Sequence, residues 1–445
     1  MNARELANSV CDTLQRHGFQ AFLVGGCVRD VLLGREPADY DVATDATPSQ
    51  VLNLFPNGLD IGAHFGVILF CQDSWKVEIA TFRSDIGYSD GRHPDQVVYS
   101  GTPQQDVQRR DFTINGLLMR HDAGEVLDFV GGRTDLDAGV IRAIGDPSRR
   151  FAEDKLRMLR AIRFAARFGY ALERRTFAAV VEHAREIRMV SAERIREELT
   201  KLLTEGAARR GFELLDEAGL LNVLLPEISA MKGVAQPPEF HPEGDVWIHT
   251  LGMLAGLSAA TSATLAWGTL LHDVGKPPTF RPASETGDRI RFDDHVSVGV
   301  RIAEDICRRL RFSNDDTEQI QALVANHMKF KDVASMRPAT LKRFVRLPLF
   351  SEHLELHRLD CMSSHGKLDA YEAVRSFLAL TPPAQVHPPR LLSGDDLKDL
   401  GYTPGPEFRK ILASLEEAQL EESVQTRQDA LDFVRRAYPR RLQRH

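Results

Sequence analysis

The sequence predicts an α+β protein: a small head in which strands and helices alternate, followed by a mostly α-helical remainder. Three observations predict it. Residues 1 to about 140 alternate short apolar runs with turn-forming clusters and helical stretches. From Phe151 onward, apolar residues recur at three- and four-residue spacing. A chain of 445 residues is also too long for one core and implies roughly two to four domains. The boundaries expected are a head at 1–140, a helical neck at 141–233, a His-rich helical body at 234–370 and a helical tail at 371–445.

Phe22 to Val24 reads as a strand, Gly25-Gly26 as a turn that lets the backbone approach a ligand, and Val28 to Leu33 as the start of a helix. Asp39 and Asp41 flank Tyr40 at period two, so on a strand both carboxylates face the same way. Val51 to Phe55 looks helical, Gly58 to Gly62 carries turn chemistry, and Gly66 to Cys71 and Lys76 to Thr81 read as strands. Ser84 to Asp95 reads as a loop. In the helical part, Leu156, Leu159, Ile162, Phe164 and Phe168 share one face, and Leu199 to Leu203 and Phe212 to Leu215 repeat the pattern. Ser191 is a fitting N-cap for a helix beginning at Ala192, with Glu193 in its first turn. Val234 to Glu243, with Pro237, Pro238 and Pro242, reads as the main domain boundary. Pro382-Pro383 and Pro388-Pro389 mark another, before a helical tail that ends in the basic stretch Arg435 to Arg444.

Composition excludes several classes. With 43% hydrophobic and 27% charged residues the chain is ordinary globular material. No run approaches the ~20 apolar residues a membrane span needs, and the N-terminus lacks a signal-peptide core. Cys11, Cys27, Cys71, Cys307 and Cys361 are odd in number and unpaired in spacing. That predicts reduced thiols and a soluble cytoplasmic protein. The net charge of −7 hides a basic stripe: between Arg142 and Arg175, ten Lys/Arg face four Asp/Glu. Local charge of this kind, not the total, governs phosphate binding.

Two carboxylates side by side, Asp39 and Asp41, suit Mg²⁺, which takes a few carboxylates and leaves positions for substrate phosphates. Glu78, in Val-Glu-Ile-Ala-Thr-Phe-Arg, is a third candidate on a following strand. The string from Phe22 to Asp41 resembles the signature of the class II nucleotidyltransferases: bacterial CCA-adding enzymes, their CC-adding and A-adding relatives, and bacterial poly(A) polymerases. The resemblance covers residues 20 to about 230. It implies a nucleotidyltransferase head built on a mixed sheet, with Asp39, Asp41 and Glu78 catalytic. It also implies that Gly25, Gly26 and Arg29 bind nucleotide, and that the block Arg109-Arg110-Asp111 through Asn115 contacts its sugar and phosphates. Asp128-Phe-Val-Gly131-Gly132 resembles a further family block, with glycines suited to a hinge.

Glu153-Asp154-Lys-Leu-Arg157 carries the expectation for base choice. On one helix Asp154 and Arg157 would share a face. A carboxylate accepts from an exocyclic amine and a guanidinium donates to a ring nitrogen, so the pair matches cytosine and adenine and mismatches uracil and guanine. The resemblance assigns that pair to base reading, with Arg160 and Arg163 continuing the helix toward phosphate. Ile61 to Val67 lacks the basic patch of poly(A) polymerases, and the loop from Arg83 to Pro94 is intact. Both favour full CCA addition to tRNA from CTP and ATP. The alternatives are an A-adding enzyme or poly(A) polymerase, or a hydrolase whose head is vestigial.

In the body, His249, His272-Asp273 and Asp360, with His295 and His327 between, resemble the HD-domain metal phosphohydrolases over about 245 to 365. The resemblance implies a metal at His249, His272, Asp273 and Asp360, a second one near His295 and His327, and a phosphatase or cyclic phosphodiesterase activity. Imidazole and carboxylate suit Ni²⁺, Mn²⁺, Fe or Zn²⁺ alike. The expected macromolecular partner is the acceptor arm and 3′ end of tRNA, held by backbone and shape through the neck and tail, with neither DNA nor membrane.

Overall fold

The computed structural model describes residues 1–62, 66–87, 96–99 and 101–439. His64 and the segment Tyr88 to Pro94, on which part of the CCA expectation rests, lie outside them, as does the end of the basic tail. Backbone contacts divide the chain into two units. The first comprises Met1–Lys232 with Leu254–Ala266 and Ile306–Phe312, and the second Gly233–Met253, Trp267–Asp305 and Ser313–His445.

The first unit opens with helix α1 (Ala3–Arg16), started by a capping box in which Asn2 and Glu5 exchange hydrogen bonds of 2.8 and 2.9 Å. Its face of Leu6, Ala7, Val10 and Leu14 is buried over the head sheet. The chain then runs through β1 (Ala21–Val24), α2 (Gly26–Leu32), β2 (Tyr40–Thr44), α3 (Pro48–Leu54), β3 (Leu59–Gly62), β4 (Val67–Gln72) and β5 (Trp75–Thr81). A hairpin of β6 (Arg83–Ile86) and β7 (Gln96–Tyr99) follows, then α4 (Pro103–Gln108), β8 (Leu117–Met119) and β9 (Val126–Asp128). Among the described residues seven of these strands form one sheet, in the order β3-β4-β5-β2-β1-β8-β9. Only β2 and β5 pair in parallel, so the sheet is mixed. All four residues of β1 are buried, as befits a central strand covered on both faces.

Two segments differ from expectation. Gly58 to Gly62 is largely strand, because Leu59 and Asp60 pair with Leu69 and Ile68. The expected loop 84–95 begins as strand over 84–86, since Ser84 and Val98 pair across the hairpin. In each case cross-strand pairing overrode local turn propensity.

The helical part of this unit continues with α5 (Gly132–Ala138), α6 (Pro147–Glu153), α7 (Leu156–Phe168), α8 (Arg174–His183) and α9 (Ala192–Thr204). In α7 the expected stripe of Leu156, Leu159, Ile162 and Phe164 is buried. Ser191 takes the N-cap position of α9 in extended conformation, without a capping hydrogen bond from its side chain. Gly131-Gly132 is not built as a free hinge. The Asp128 carboxylate accepts from the backbone N–H groups of Val130, Gly131, Gly132 and Arg133, and a Cβ on Gly132 would lie 2.1 Å from the Thr113 carbonyl.

The second unit is mostly helical. Asn314–Asn326 and Phe350–Ser363 lie wholly within it, and it takes the parts of Val246–Ala255, Ala263–Leu271 and His295–Arg309 that carry or flank the body's histidines. A separate core of Leu397, Ile411, Leu415, Ala430 and Val434 holds the tail together. Among the described residues no helix is long and apolar enough to cross a membrane.

Candidate functional site

In the first unit a cleft of about 460 Å³ is lined by Gly25, Gly26, Arg29, Asp41, Arg109, Arg110, Asp111, Asn115, Asp154, Arg157, Arg160 and Arg163, together with Leu156, Phe164 and Arg194. Seven arginines face three aspartates there, a local excess of positive charge on a chain of net charge −7. Gly25 opens the cleft because its φ of +79° is open only to a residue without a Cβ, which at that position would lie 3.4 Å from Arg110 Nη1.

Asp41 sits on β2, opposite Glu78 of β5 across the parallel ladder, so both carboxylates leave the sheet on one side. Asp39 is exposed and precedes the strand by one residue. The ladder therefore fixes the direction of Asp41 and begins only after Asp39. Asp39 is still close enough to act on Asp41, whose carboxyl is pushed up to about 7 by burial and by repulsion from Glu78 and Asp39. Two neighbouring acids that raise the Asp41 carboxyl make a cluster of negative charge that a divalent cation would neutralise, so the residues fit Mg²⁺.

Arg109 and Arg110 are both held by the fully buried Asp106, at 2.7 and 3.0 Å. Burial would raise the Asp106 carboxyl, but Arg110 and Arg109 outweigh it and hold it low. Sequence reasoning missed Asp106; an acid three and four positions ahead of paired arginines on a helix was the available signal. Deeper in the cleft, Arg29 donates to Asn115 Oδ1 at 2.6 Å, Asn115 donates to Asp111 Oδ1, and Arg160 forks onto Asp111 Oδ2 at 2.7 and 2.9 Å. Against burial, Arg160 holds the Asp111 carboxyl at about 2. Arg163 is 5% exposed and is held by Glu198 at 2.7 Å and Glu205 at 3.2 Å. Its charge ties α7 to α9, and its side chain also borders the cleft.

Asp154 and Arg157 do not lie on one helix. Helix α6 stops at Glu153, Asp154 is extended (φ −148°, ψ 107°), and α7 begins at Leu156. Both side chains nevertheless line the cleft, each tied to other partners. Asp154 accepts from both terminal nitrogens of Arg194 at 3.2 and 2.8 Å. Arg157 donates to Glu153 at 2.8 Å and to the carbonyls of Arg150 and Arg109, both at 3.0 Å. Arg194 was not singled out in the sequence. Its one signal is a cation in the first turn of a helix, where the helix dipole disfavours it.

In the second unit the six expected residues converge as two triads. His249, His272 and Asp360 form one, and Asp273, His295 and His327 the other, with ligand atoms in each within 4.8 Å of one another. His272 falls in the first triad and Asp273 in the second. The two remain in contact, His272 Nε2 lying 3.1 Å from Asp273. Nδ1 of His272, His295 and His327 each lies 2.6–2.9 Å from a backbone carbonyl, which places the proton on Nδ1. Their Nε2 atoms, and that of His249, are buried; that of His249 lies 3.2 Å from Asp360 and that of His327 3.7 Å from Asp273. Burial lowers the His327 imidazole to about 4 and keeps it neutral. Buried imidazole nitrogens turned toward two carboxylates fit a divalent metal, held as outer-sphere carbonyls commonly hold ligating histidines.

The proline-rich segment read as the main domain boundary contributes here. Glu243 Oε1 lies 2.7 Å from His249 Nδ1 and 2.9 Å from His241 Nδ1. A pocket of about 770 Å³ beside the triads is bordered by Asp273, His295, His327 and Asp360, by the cations Lys276, Arg289, Lys331 and Lys367, and by Phe240 and Phe292.

Comparison with known proteins adds three family matches and close relatives. Residues 21–142 match the poly A polymerase head domain, 169–232 the probable RNA and SrmB-binding site of polymerase A, and 246–362 the HD domain. The chain is similar to the CCA-adding enzyme of Leuconostoc mesenteroides, 30% identical over 97% of this chain and 96% of that one. That of Lactiplantibacillus plantarum is 31% identical over the same shares of each. The crystal structure of the Bacillus stearothermophilus CCA-adding enzyme in complex with CTP superposes with a TM-score of 0.73, at 25% identity and 98% coverage of both chains.

Proposed function

The chain belongs to the CCA-adding enzymes, and on that premise we propose that it adds C, C and A to the 3′ end of tRNA from CTP and ATP in the cleft of the first unit. The observation that carries the reading is one cleft holding an acid on the head sheet, an arginine-rich wall and the Asp154/Arg157 pair. Asp39 and Asp41, with Glu78, would hold Mg²⁺; the ion supplies the charge that activates the primer hydroxyl and neutralises the transferring phosphate. The helix amides after Gly25 and the cations Arg29, Arg109 and Arg110 bind the triphosphate. Asp154 accepts from the exocyclic amine of cytosine or adenine while Arg157 donates to the neighbouring ring nitrogen. We assign 1–140 as head, 141–233 as neck, 234–370 as body and 371–445 as tail, with neck and tail gripping the acceptor arm.

The experiment supplies tRNA lacking its last three nucleotides with CTP alone, then with both nucleotides. Two cytidines and then a terminal adenosine are expected. Asp39→Ala with Asp41→Ala should lower addition by at least about 10³-fold, as loss of transition-state charge stabilisation does. Addition of adenosine without prior cytidine would replace this reading with an A-adding one.

The two triads of the second unit support a metal-dependent phosphohydrolase. His249, His272 and Asp360, and Asp273, His295 and His327, would hold the metal. The cationic and aromatic border suits a phosphoester carrying a ring.

A further inference from the structure

Arg194 stands third in α9, in the turn where a helix N-terminus repels a cation. A guanidinium kept there needs a compensating partner, and Asp154 is that partner, forty residues earlier in the chain and only 18% exposed. Asp154 is the C-cap of α6, its N–H bonded to the Arg150 carbonyl but its backbone extended, so the carboxylate leaves the helix and takes its direction from its own partners. Its carboxylate offers about four lone-pair positions. Arg194 takes two of them, one on each oxygen, and the Leu156 N–H takes a third on Oδ1 at 3.1 Å. One position remains for a ligand, and its direction is set by the other three.

We infer that Arg194 is a specificity-positioning residue: it clamps Asp154 so that a single acceptor direction faces the nucleobase at a fixed offset from the Arg157 donor. The inference rests on the assignment of Asp154 and Arg157 to base reading. Fixed offset is what base choice requires. Cytosine and adenine present an exocyclic donor beside a ring acceptor, whereas uracil and guanine present an exocyclic acceptor beside a ring donor. Facing uracil, a fixed Asp154 acceptor meets the O4 acceptor and the fixed Arg157 donor meets the ring N–H, so both contacts are repulsive. A carboxylate free to rotate can turn its lone pairs away from O4 and relieve its half of that mismatch. Arg157 cannot turn away in the same manner, because Glu153 and two carbonyls hold it. Discrimination against the wrong bases therefore depends on the clamp.

The test measures kcat and KM for CTP, ATP, UTP and GTP on tRNA lacking its 3′ nucleotides, with Arg194→Ala, Arg194→Gln and Arg194→Lys. The ratio of kcat/KM for CTP over UTP should fall at least about tenfold in Arg194→Ala. The change should sit mainly in KM: CTP rises, UTP falls, and the saturated CTP rate drops by less than the ratio does. Lysine, with one point charge in place of a planar fork, should restore discrimination in part. Glutamine keeps most of the bulk and decides the outcome if the alanine variant does not fold. An equal loss for all four nucleotides, through kcat, would overturn the inference and leave Arg194 a packing residue. Asp154→Ala separates the two layers. If it leaves discrimination unchanged, base reading by Asp154 fails; if it abolishes discrimination while every Arg194 variant keeps it, the clamp alone fails.

Discussion

Charged side chains around the cleft are held by opposite charges, some from distant parts of the chain and some from the next helical turn, and the pairs set which groups stay ionised. Asp111 remains a carboxylate because Arg160 forks onto it, and Asp106 because two arginines outweigh its burial. His353 shows the opposite case. It is 1% exposed, stacks on Phe350, and has both ring nitrogens buried without a hydrogen-bond partner. Burial lowers its pKa to about 4. In the unfolded chain it takes a proton near pH 6.5. Its contribution is thus present in full above about pH 6.5 and is lost as pH falls toward 4, on the order of 3 kcal/mol in all. Denaturant titrations between pH 7 and pH 4.5 should show this loss, and His353→Phe should flatten that part of the profile. An unchanged slope in the variant would assign the dependence to other groups.

At the scale of elements, helix α7 turns one face to the cleft and ties another to α9. Arg163 and Glu198 are 5% and 4% exposed and 2.7 Å apart. Removing one member of such a pair leaves a buried charge without compensation. Glu198→Ala should therefore destabilise the protein by about 3–5 kcal/mol in urea unfolding. The double variant Arg163→Met, Glu198→Leu should recover most of that loss, because apolar side chains of similar volume avoid the desolvation cost. The head sheet is governed by register in the same sense. A slip of one residue between β2 and β5 would put Asp41 and Glu78 on opposite faces.

At the scale of the whole molecule, each of the two units carries its own candidate site, built from its own residues. The two chemistries should separate by substitution. His272→Ala with Asp273→Ala should abolish metal-dependent hydrolysis of a nucleoside 2′,3′-cyclic phosphate and leave CTP addition to tRNA within about twofold. Chelation followed by return of single divalent metals should restore the hydrolysis selectively. Loss of both activities together would show that the second unit is needed for folding, not only for its own site. Much of this division was legible in short strings of sequence. Gly25-Gly26 with Asp41, Arg109 to Asp111, and His272-Asp273 are local patterns, and the backbone geometry that displays them is set within a few residues. Tertiary packing alone decided the partners. It set Asp39 outside the strand, split Asp154 from the helix of Arg157, and brought Arg194 to Asp154. It also brought Glu243 from an apparent domain boundary to His249. A motif specifies which groups are offered. Which charge meets which depends on contacts between segments far apart in the chain, and no local spacing encodes those.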